Sequence, residues 1–135
     1  MNVNEHDFTD LFKKYKKICV IGLSPDSSKP SRGVPLYMKA RGFDVVGVYP
    51  KAVRDDDFKI YTELSQVPAE YRRFINVFRR SENIPEVVDE ILKVRGCEVL
   101  WLQLGITHAE AEKKAEEAGL KVISDRCLKV EYARI

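Results

Sequence analysis

The sequence predicts a three-layer α/β/α sandwich built around a mainly parallel sheet of five strands. Two observations support this fold class. Short apolar runs, rich in β-branched or aromatic residues, are bounded by turn residues, as is typical of strands buried on both faces. Segments with helical periodicity separate most of these runs, which is the order expected of a parallel sheet with crossover helices. The apolar runs cover residues 18–21, 45–49, 74–78, 99–102 and 120–123.

Helices are predicted before and between the strands. The expected helices cover residues 7–17, 33–41, 85–95 and 107–119. In each of them apolar or alanine residues recur at helical spacing, and the last three end at or just before a glycine. Thr107 and Glu110 have the spacing of a capping box, which predicts the start of the fourth helix.

The link between residues 51 and 73 has a weaker pattern. A short helix is expected near residues 64–67. The consecutive carboxylates at residues 55–57 lack the ligand spacing of a calcium site, so we interpret them as a solvated turn.

The composition is that of one globular domain. The 135 residues are 44% apolar and 33% charged, and the formal net charge of +2 is too small to indicate a nucleic-acid partner. No apolar run approaches the ~20 residues that a membrane span needs, and the N-terminus lacks a signal pattern. We therefore expect a single domain over residues 1–135, with a helix of residues 1–17 packed on it, in the cytoplasm and without a membrane partner. Cys19, Cys97 and Cys127 have no CxxC spacing, so reduced thiols are expected rather than a disulfide or a metal site.

Unusual residues concentrate in four loops that follow the predicted strands. These loops cover residues 22–31, 49–51, 78–85 and 103–107. Because ligands bind beyond the carboxyl ends of parallel strands, where the strand order reverses, we expect the four loops to converge on one site.

The first loop predicts a phosphate cradle. It leads from a buried strand through a glycine into a helix, an arrangement that presents backbone N–H groups and a helix N-terminus to an anion. The dinucleotide fingerprint G-x-G-x-x-G is not matched, because only Gly22 is present and Ser24 takes the second glycine position. Ser28 and Ser31 can donate hydroxyl groups to phosphate, and Lys29 adds a positive charge. The alternative interpretation is an ordinary loop with a helix cap at Ser31.

The second loop bears on which nucleotide is bound. An NAD site would place an acidic residue at the end of the second strand to bind the ribose hydroxyl. This chain instead has Tyr49, Pro50 and Lys51 there. A cation at this position favours an extra phosphate on the ribose, which NADP and coenzyme A both carry. An exposed loop lysine without a ligand is the alternative.

The third and fourth loops supply further polar groups. Arg79 and Arg80 follow a buried strand directly, and because adjacent side chains alternate in direction, one of the two is expected to face the cleft. Gln103 and Gly105 lead into a capped helix, where the backbone can approach a ligand closely.

Five segments of the chain resemble the small, single-domain coenzyme A-binding proteins. The segments are G-L-S-P-D-S-S-K-P-S at 22–31, V-Y-P-K at 48–51, V-F-R-R-S at 77–81, W-L-Q-L-G at 101–105 and S-D-R-C-L-K-V-E at 124–131. This family is similar to the N-terminal CoA-binding domain of the succinyl-CoA synthetase α subunit. The resemblance runs in order over nearly the whole chain, and it implies a Rossmann-like fold that binds CoA.

The resemblance also implies where CoA lies. It assigns the CoA phosphates to residues 22–24 and to the serine–lysine stretch after them, Lys51 to the 3′-phosphate ADP end, and residues 79–81 to the rim of the cleft. Residues and resemblance thus indicate the same loops. The predicted cofactor-binding residues are Gly22, Leu23, Ser24, Ser28, Lys29, Ser31, Tyr49, Pro50, Lys51, Arg79, Arg80, Ser81, Gln103 and Gly105.

The expected function is the binding of coenzyme A or an acyl-CoA by a non-catalytic binding or regulatory module. The synthetase uses a phosphorylated histidine from a second domain, whereas the histidines here are His6, in the N-terminal arm, and His108, interpreted as a solvated helix-start residue. Cys127 is interpreted as structural rather than as a thiol that exchanges with CoA. An NADP-dependent oxidoreductase and a CoA-dependent transferase subunit stay open as alternatives, as do a protein partner and a homo-oligomer.

Overall fold

The computed structural model describes residues 8–135, which form one six-stranded sheet with helices on both faces. The strands are β1 (Lys17–Ile21), β2 (Asp44–Val48), β3 (Lys59–Tyr61), β4 (Phe74–Val77), β5 (Val99–Leu102) and β6 (Lys121–Ile123). The α-helices are α1 (Thr9–Lys14), α2 (Pro30–Ala40), α3 (Ile84–Val94), α4 (Ala109–Glu117) and α5 (Leu128–Ala133). Short 3₁₀ turns cover Leu64–Gln66, Ala69–Tyr71 and Ser81–Asn83.

All neighbouring strands pair in parallel, in the order β3-β2-β1-β4-β5-β6. Helices α1, α2 and α5 pack on one face, and α3 and α4 pack on the other. The predicted α/β/α sandwich with a parallel sheet is therefore confirmed, and its strand order is that of a Rossmann-like fold. The chain runs outward from β1 to β2 and β3, then returns to the other side of β1 to form β4. The carboxyl ends of β1, β2 and β4 meet at this reversal.

The sheet has six strands rather than the predicted five, because the sequence pattern does not reveal β3. This edge strand has three residues, of which Lys59 is exposed and the other two are only half-buried. It therefore lacks the continuous apolar run that marks the other strands. Helix α5 was also not predicted, since its six residues bury only Leu128 and Glu131.

The boundaries of α1 and α2 differ from the predictions. The first helix ends at Lys14 because Tyr15 is already extended and Lys17 begins β1. Residue 7, the predicted start, lies outside the described residues. Helix α2 begins at Pro30, three residues earlier than predicted, because proline is well suited to the first turn of a helix.

Trp101 lies at the centre of the core between the sheet and α1. Its side chain is fully buried, its ring stacks on Phe74 at a centroid distance of 6.1 Å, and the edge of Phe8 approaches it at 5.0 Å. The indole Nε1 donates a hydrogen bond of 2.8 Å to the carbonyl of Arg126. Cys19 in β1 is also fully buried, as predicted. No helix within residues 8–135 is long and apolar enough to cross a membrane.

Candidate functional site

A cleft lies beyond the carboxyl ends of β1, β2 and β4, where the strand order reverses. Its cavity has a volume of about 550 Å³. A cavity of this size is in the range of small-molecule and cofactor sites. The predicted site residues that line it are Gly22, Ser24, Lys29, Ser31, Tyr49, Pro50 and Arg79.

Gly22 makes the turn that brings the first loop back over the sheet. Its φ is +89°, and a Cβ at this position would lie 2.3 Å from the carbonyl oxygen of Phe78. Its N–H donates to the carbonyl of Val48 at 2.8 Å, so the turn is tied to the end of β2. The side chain of Leu23 is fully buried and packs against Gly47, which limits any ligand contact of Leu23 to its main chain.

Ser24 is held firmly at the base of the first loop. Its side chain is buried, its Oγ accepts a hydrogen bond of 3.0 Å from the N–H of Asp26, and its own N–H donates to the carbonyl of Ser31 at 3.3 Å. Lys29 is the N-cap residue of α2 and is exposed. The cleft therefore receives a lysine and the first turn of an 11-residue helix from the same segment.

The structure does not place Ser28 in the cleft. Its hydroxyl donates to Oδ1 of Asp26 at 2.7 Å, and its N–H donates to the same oxygen at 3.0 Å. These two hydrogen bonds lower the pKa of Asp26 below its ordinary value. Ser28 thus shapes the loop through a carboxylate.

The second loop contributes Tyr49 and Pro50 to the cleft wall. The N–H of Tyr49 donates to the carbonyl of Tyr61 at 2.9 Å and so fixes the start of the loop against β3. Lys51 is exposed and follows next in the chain, beyond the lining residues.

Among the carboxylates of residues 55–57, Asp56 and Asp57 are exposed as the predicted solvated turn requires, and Asp55 is not. Asp55 has a side chain only 6% exposed and forms an ion pair of 2.7 Å with Arg32 of α2. The hydrogen bonds from Arg32 lower the pKa of Asp55 below its ordinary value, with further bonds from the N–H groups of Asp57 and Phe58. The turn is therefore tied to the helix that carries the first loop.

The third loop divides its two arginines as expected for adjacent residues. Arg79 lines the cleft, and Arg80 is exposed outside the lining. The Oγ of Ser81 accepts a hydrogen bond of 3.1 Å from the N–H of Thr107, so this hydroxyl joins the third loop to the fourth.

The structure does not bring Gln103 and Gly105 into the cleft. Gln103 is buried, and its Oε1 accepts hydrogen bonds from the Nδ2 of Asn76 and from the N–H of Leu128, both at 3.3 Å. The N–H of Gly105 donates to Oδ1 of Asp125 at 2.7 Å. These polar groups therefore bond to the protein itself.

Sequence reasoning missed the far wall of the cleft. This wall contains Thr62, Glu63, Leu64, Val87 and Glu90. The first three follow β3, which the pattern did not reveal, and the last two stand one turn apart on α3. The side chain of Glu63 accepts from the backbone N–H of Gln66 and is thereby oriented. Carboxylates lie at this wall, whereas Lys29 and Arg79 belong to the loops that follow β1 and β4.

Reactive side chains outside the cleft have structural partners. His108 is the N-cap residue of α4, where its Nδ1 accepts from the N–H of Ala111 at 3.2 Å. The cap is therefore His108, and the predicted capping box at Thr107 is wrong by one residue. Burial raises the pKa of both Cys19 and Cys97 to about 12. Cys127 is the N-cap residue of α5 and packs against the core.

Neither a metal site nor the N-terminal histidine adds to the description of the cleft. His6 lies outside the described residues. Within residues 8–135, no three His, Cys, Asp or Glu side chains are grouped so that they could hold a metal ion.

The strand order and the cleft at its reversal define a Rossmann-like domain. The sequence profile described as the CoA binding domain matches residues 16–133. The chain therefore belongs to the CoA binding domain family, as its sequence motifs indicated.

Relatives of similar length match over nearly the whole chain. Protein YneT of Bacillus subtilis (strain 168) is 31% identical over 132 residues, which are 98% of this chain and 96% of that protein. The solved structure of cell-free ID.343 from Thermus thermophilus is 33% identical, with a TM-score of 0.86 and coverage of 99% of this chain and 98% of that one.

The same fold occurs within a larger enzyme. The dinucleotide-forming acetyl-coenzyme A synthetase 1 of Candidatus Korarchaeum cryptofilum matches with a TM-score of 0.66 and 21% identity. The match covers 84% of this chain and only 27% of that one, so it shows a shared domain fold.

Proposed function

We propose that this protein binds coenzyme A, or an acyl-CoA, in the cleft at the carboxyl ends of β1, β2 and β4. Membership of the CoA binding domain family supports CoA as the ligand. The observation that carries the proposal for the site is the first loop, where Gly22 turns tightly and Lys29 stands at the N-terminus of α2 within one cavity. A helix N-terminus and a lysine together favour a pyrophosphate.

Lys51 is proposed to bind the 3′-phosphate of the ribose. It directly follows Tyr49 and Pro50, which line the cleft, and it is exposed and free to extend toward a ligand from this edge. The same position would suit the 2′-phosphate of NADP, which is the second candidate ligand. The family to which the chain belongs favours CoA over NADP.

A binding or regulatory role is proposed rather than catalysis. The thiols of Cys19 and Cys97 have a pKa of about 12, which leaves them protonated and unreactive at neutral pH. The ring of His108 is engaged in capping α4. The thiols of Cys19 and Cys97 and the ring of His108 are thus set aside as catalytic groups, which favours a site that binds its ligand without transforming it.

Calorimetric titration of the protein with CoA, acetyl-CoA, dephospho-CoA and NADP tests the proposal. CoA is expected to bind more tightly than dephospho-CoA, because the latter lacks the 3′-phosphate. Binding of NADP without any heat on addition of CoA would overturn the proposed function.

Replacement of Lys51 by alanine tests the position of that phosphate. The variant should lose about 1.5–3 kcal/mol of binding free energy for CoA, a factor of roughly 10–150, which is the range of one hydrogen bond to a charged group. Its affinity for dephospho-CoA should not change.

Lys121→Ala is the matched control, because this exposed lysine lies at the opposite edge of the sheet, at the start of β6. An equal loss in the two variants, or an equal loss for both ligands, would remove Lys51 from the site.

A further inference from the structure

A buried ion pair joins the two loops that form the phosphate side of the cleft. The side chain of Arg32, in the first turn of α2, is 10% exposed, and that of Asp55 is 6% exposed. Arg32 donates two parallel hydrogen bonds to the Asp55 carboxylate, at 2.7 Å and 3.2 Å. This paired geometry is the strong and directional form of the arginine–carboxylate interaction.

The same guanidinium reaches three further groups. Its NH2 donates to Oδ2 of Asp57 at 2.9 Å, and its NH1 donates to the carbonyl of Ser24 at 3.3 Å. Its Cζ lies 5.5 Å from the ring centroid of Phe58. Arg32 therefore holds the first loop through Ser24, and it holds the turn at residues 55–57, which follows the second loop, through the carboxylates.

Asp55 also orders the backbone of its own turn. Its Oδ1 accepts from the N–H groups of Asp57 at 2.9 Å and Phe58 at 3.0 Å. The ammonium of Lys39, further along α2, donates to the carbonyl of Asp57. The turn is thus fixed to α2 at several points, and the ion pair is the buried one among them.

Arg32 is unsuited to bind the ligand phosphate directly. Its donors face the carboxylates of Asp55 and Asp57, so a phosphate would have to displace them from a largely buried position. Lys29 and Arg79 remain for a ligand on the loops that follow β1 and β4, and Lys51 remains in the segment that Asp55 anchors. Only three residues separate Lys51 from Asp55, so their Cα atoms lie within about 14 Å of each other.

We propose that the Arg32–Asp55 ion pair is a positioning device that determines the preference for CoA over dephospho-CoA. The pair holds the second loop so that Lys51 meets the 3′-phosphate, while neither member touches the ligand. This inference rests on the proposed function, because it assumes CoA in the cleft. It assigns to Arg32 and Asp55 a role in ligand selection that acts through another residue.

The substitution Asp55→Asn gives a test whose sign separates positioning from simple electrostatics. The change removes a negative charge close to an anion site, so long-range electrostatics alone would strengthen CoA binding. Positioning predicts the opposite. The ratio of the dephospho-CoA and CoA dissociation constants should fall by roughly tenfold, because one charge-assisted contact is worth about that factor. The affinity for dephospho-CoA should stay near that of the wild type.

Asp56→Asn is the matched control. Asp56 is the adjacent residue, is exposed, carries the same charge and lies outside the ion pair. It should leave the ratio unchanged or raise it slightly, because the loss of an exposed and screened negative charge favours the 3′-phosphate only weakly. A general loosening of the fold would weaken the binding of CoA and dephospho-CoA alike and leave their ratio unchanged. A change in the ratio therefore reports positioning and not a merely structural role.

Several outcomes would overturn the inference. An unchanged ratio in a folded Asp55→Asn variant would do so, as would an equal fall of the ratio in Asp56→Asn. If Asp55→Asn does not fold, Arg32→Lys keeps the charge but loses the paired geometry, and the same fall in the ratio is required of it. Failure of the wild-type protein to bind CoA would instead overturn the proposed function, which distinguishes the two.

Discussion

Replacement of Gly22 by alanine should strongly destabilise the protein, and the structure allows the magnitude to be worked out. The φ of +89° lies in the left-handed region, which costs a residue with a Cβ about 1–2 kcal/mol. The new Cβ would also lie 2.3 Å from the carbonyl oxygen of Phe78. That obstacle is backbone, and the N–H of Phe78 donates to the carbonyl of Ile21 at 2.9 Å, so relief of the clash disturbs the contact between β1 and β4. Overpacking of this kind costs about 1–3 kcal/mol.

The free energy of unfolding should therefore fall by about 2–5 kcal/mol, a large part of the roughly 5–15 kcal/mol that is usual for a domain. Urea unfolding followed by fluorescence measures it, because Trp101 is the one tryptophan in the sequence and is fully buried. The folded fraction of Gly22→Ala should also bind CoA more weakly, since the turn at Gly22 shapes the loop that we propose to bind phosphate.

Gly33→Ala is the matched control in the next helix. Apart from its chain neighbours and the backbone of its own helix, no heavy atom lies within 4 Å of a Cβ built at Gly33, which stands inside α2. Alanine there should raise the free energy of unfolding by about 0.5–1 kcal/mol, because glycine is the poorer helix former. The reasoning is refuted if Gly22→Ala unfolds within about 0.5 kcal/mol of the wild type while Gly33→Ala behaves as expected.

Two further predictions concern Trp101 in the core and Glu98, which directly precedes β5. Trp101→Phe should lower the free energy of unfolding by about 1–3 kcal/mol, because the carbonyl of Arg126 loses its hydrogen-bond donor. Urea unfolding followed by circular dichroism measures this loss. A loss no larger than that of a variant at an exposed site would contradict the prediction. Hydrogen bonds from Arg73 and Tyr15 lower the pKa of Glu98 from 4.5 to about 2. A lowered folded-state pKa stabilises the fold fully above pH 4.5, and this contribution is lost as the pH falls toward 2. The wild type should therefore exceed Glu98→Gln in stability at pH 6 and lose that advantage by pH 2 in acid titrations of unfolding, and parallel curves for the two proteins would contradict the assignment.

Local sequence patterns were sufficient for most of the fold. The buried strands carry continuous apolar runs, and the helices carry their own periodicity and glycine ends, so neighbouring residues alone report them. The sequence pattern does not predict strand β3 or helix α5, because each is short and buries few side chains. Their residues become ordered by what they pack against, which a local pattern does not contain.

The residues of the candidate site likewise fall into those that a local pattern indicates and those that distant partners position. Gly22, Ser24 and Lys29 belong to one continuous segment, and a strand–loop–helix pattern is enough to indicate an anion site there. The sequence predicts Gln103 and Gly105 in the cleft because their loop lies at the same edge of the sheet as the other three loops. Their hydrogen-bond partners are 20 to 27 residues away in the sequence, and these partners direct the polar atoms into the protein.

The sequence by itself determined the parallel α/β architecture and the family, because these depend on short-range periodicity and on residue types in order. Only the tertiary structure decided which charges face the cleft. Arg32 and Asp55 are 23 residues apart and each alone resembles a solvated surface charge, yet folding buries them together. A buried charge must find a partner at close range, and the choice of partner is made in three dimensions.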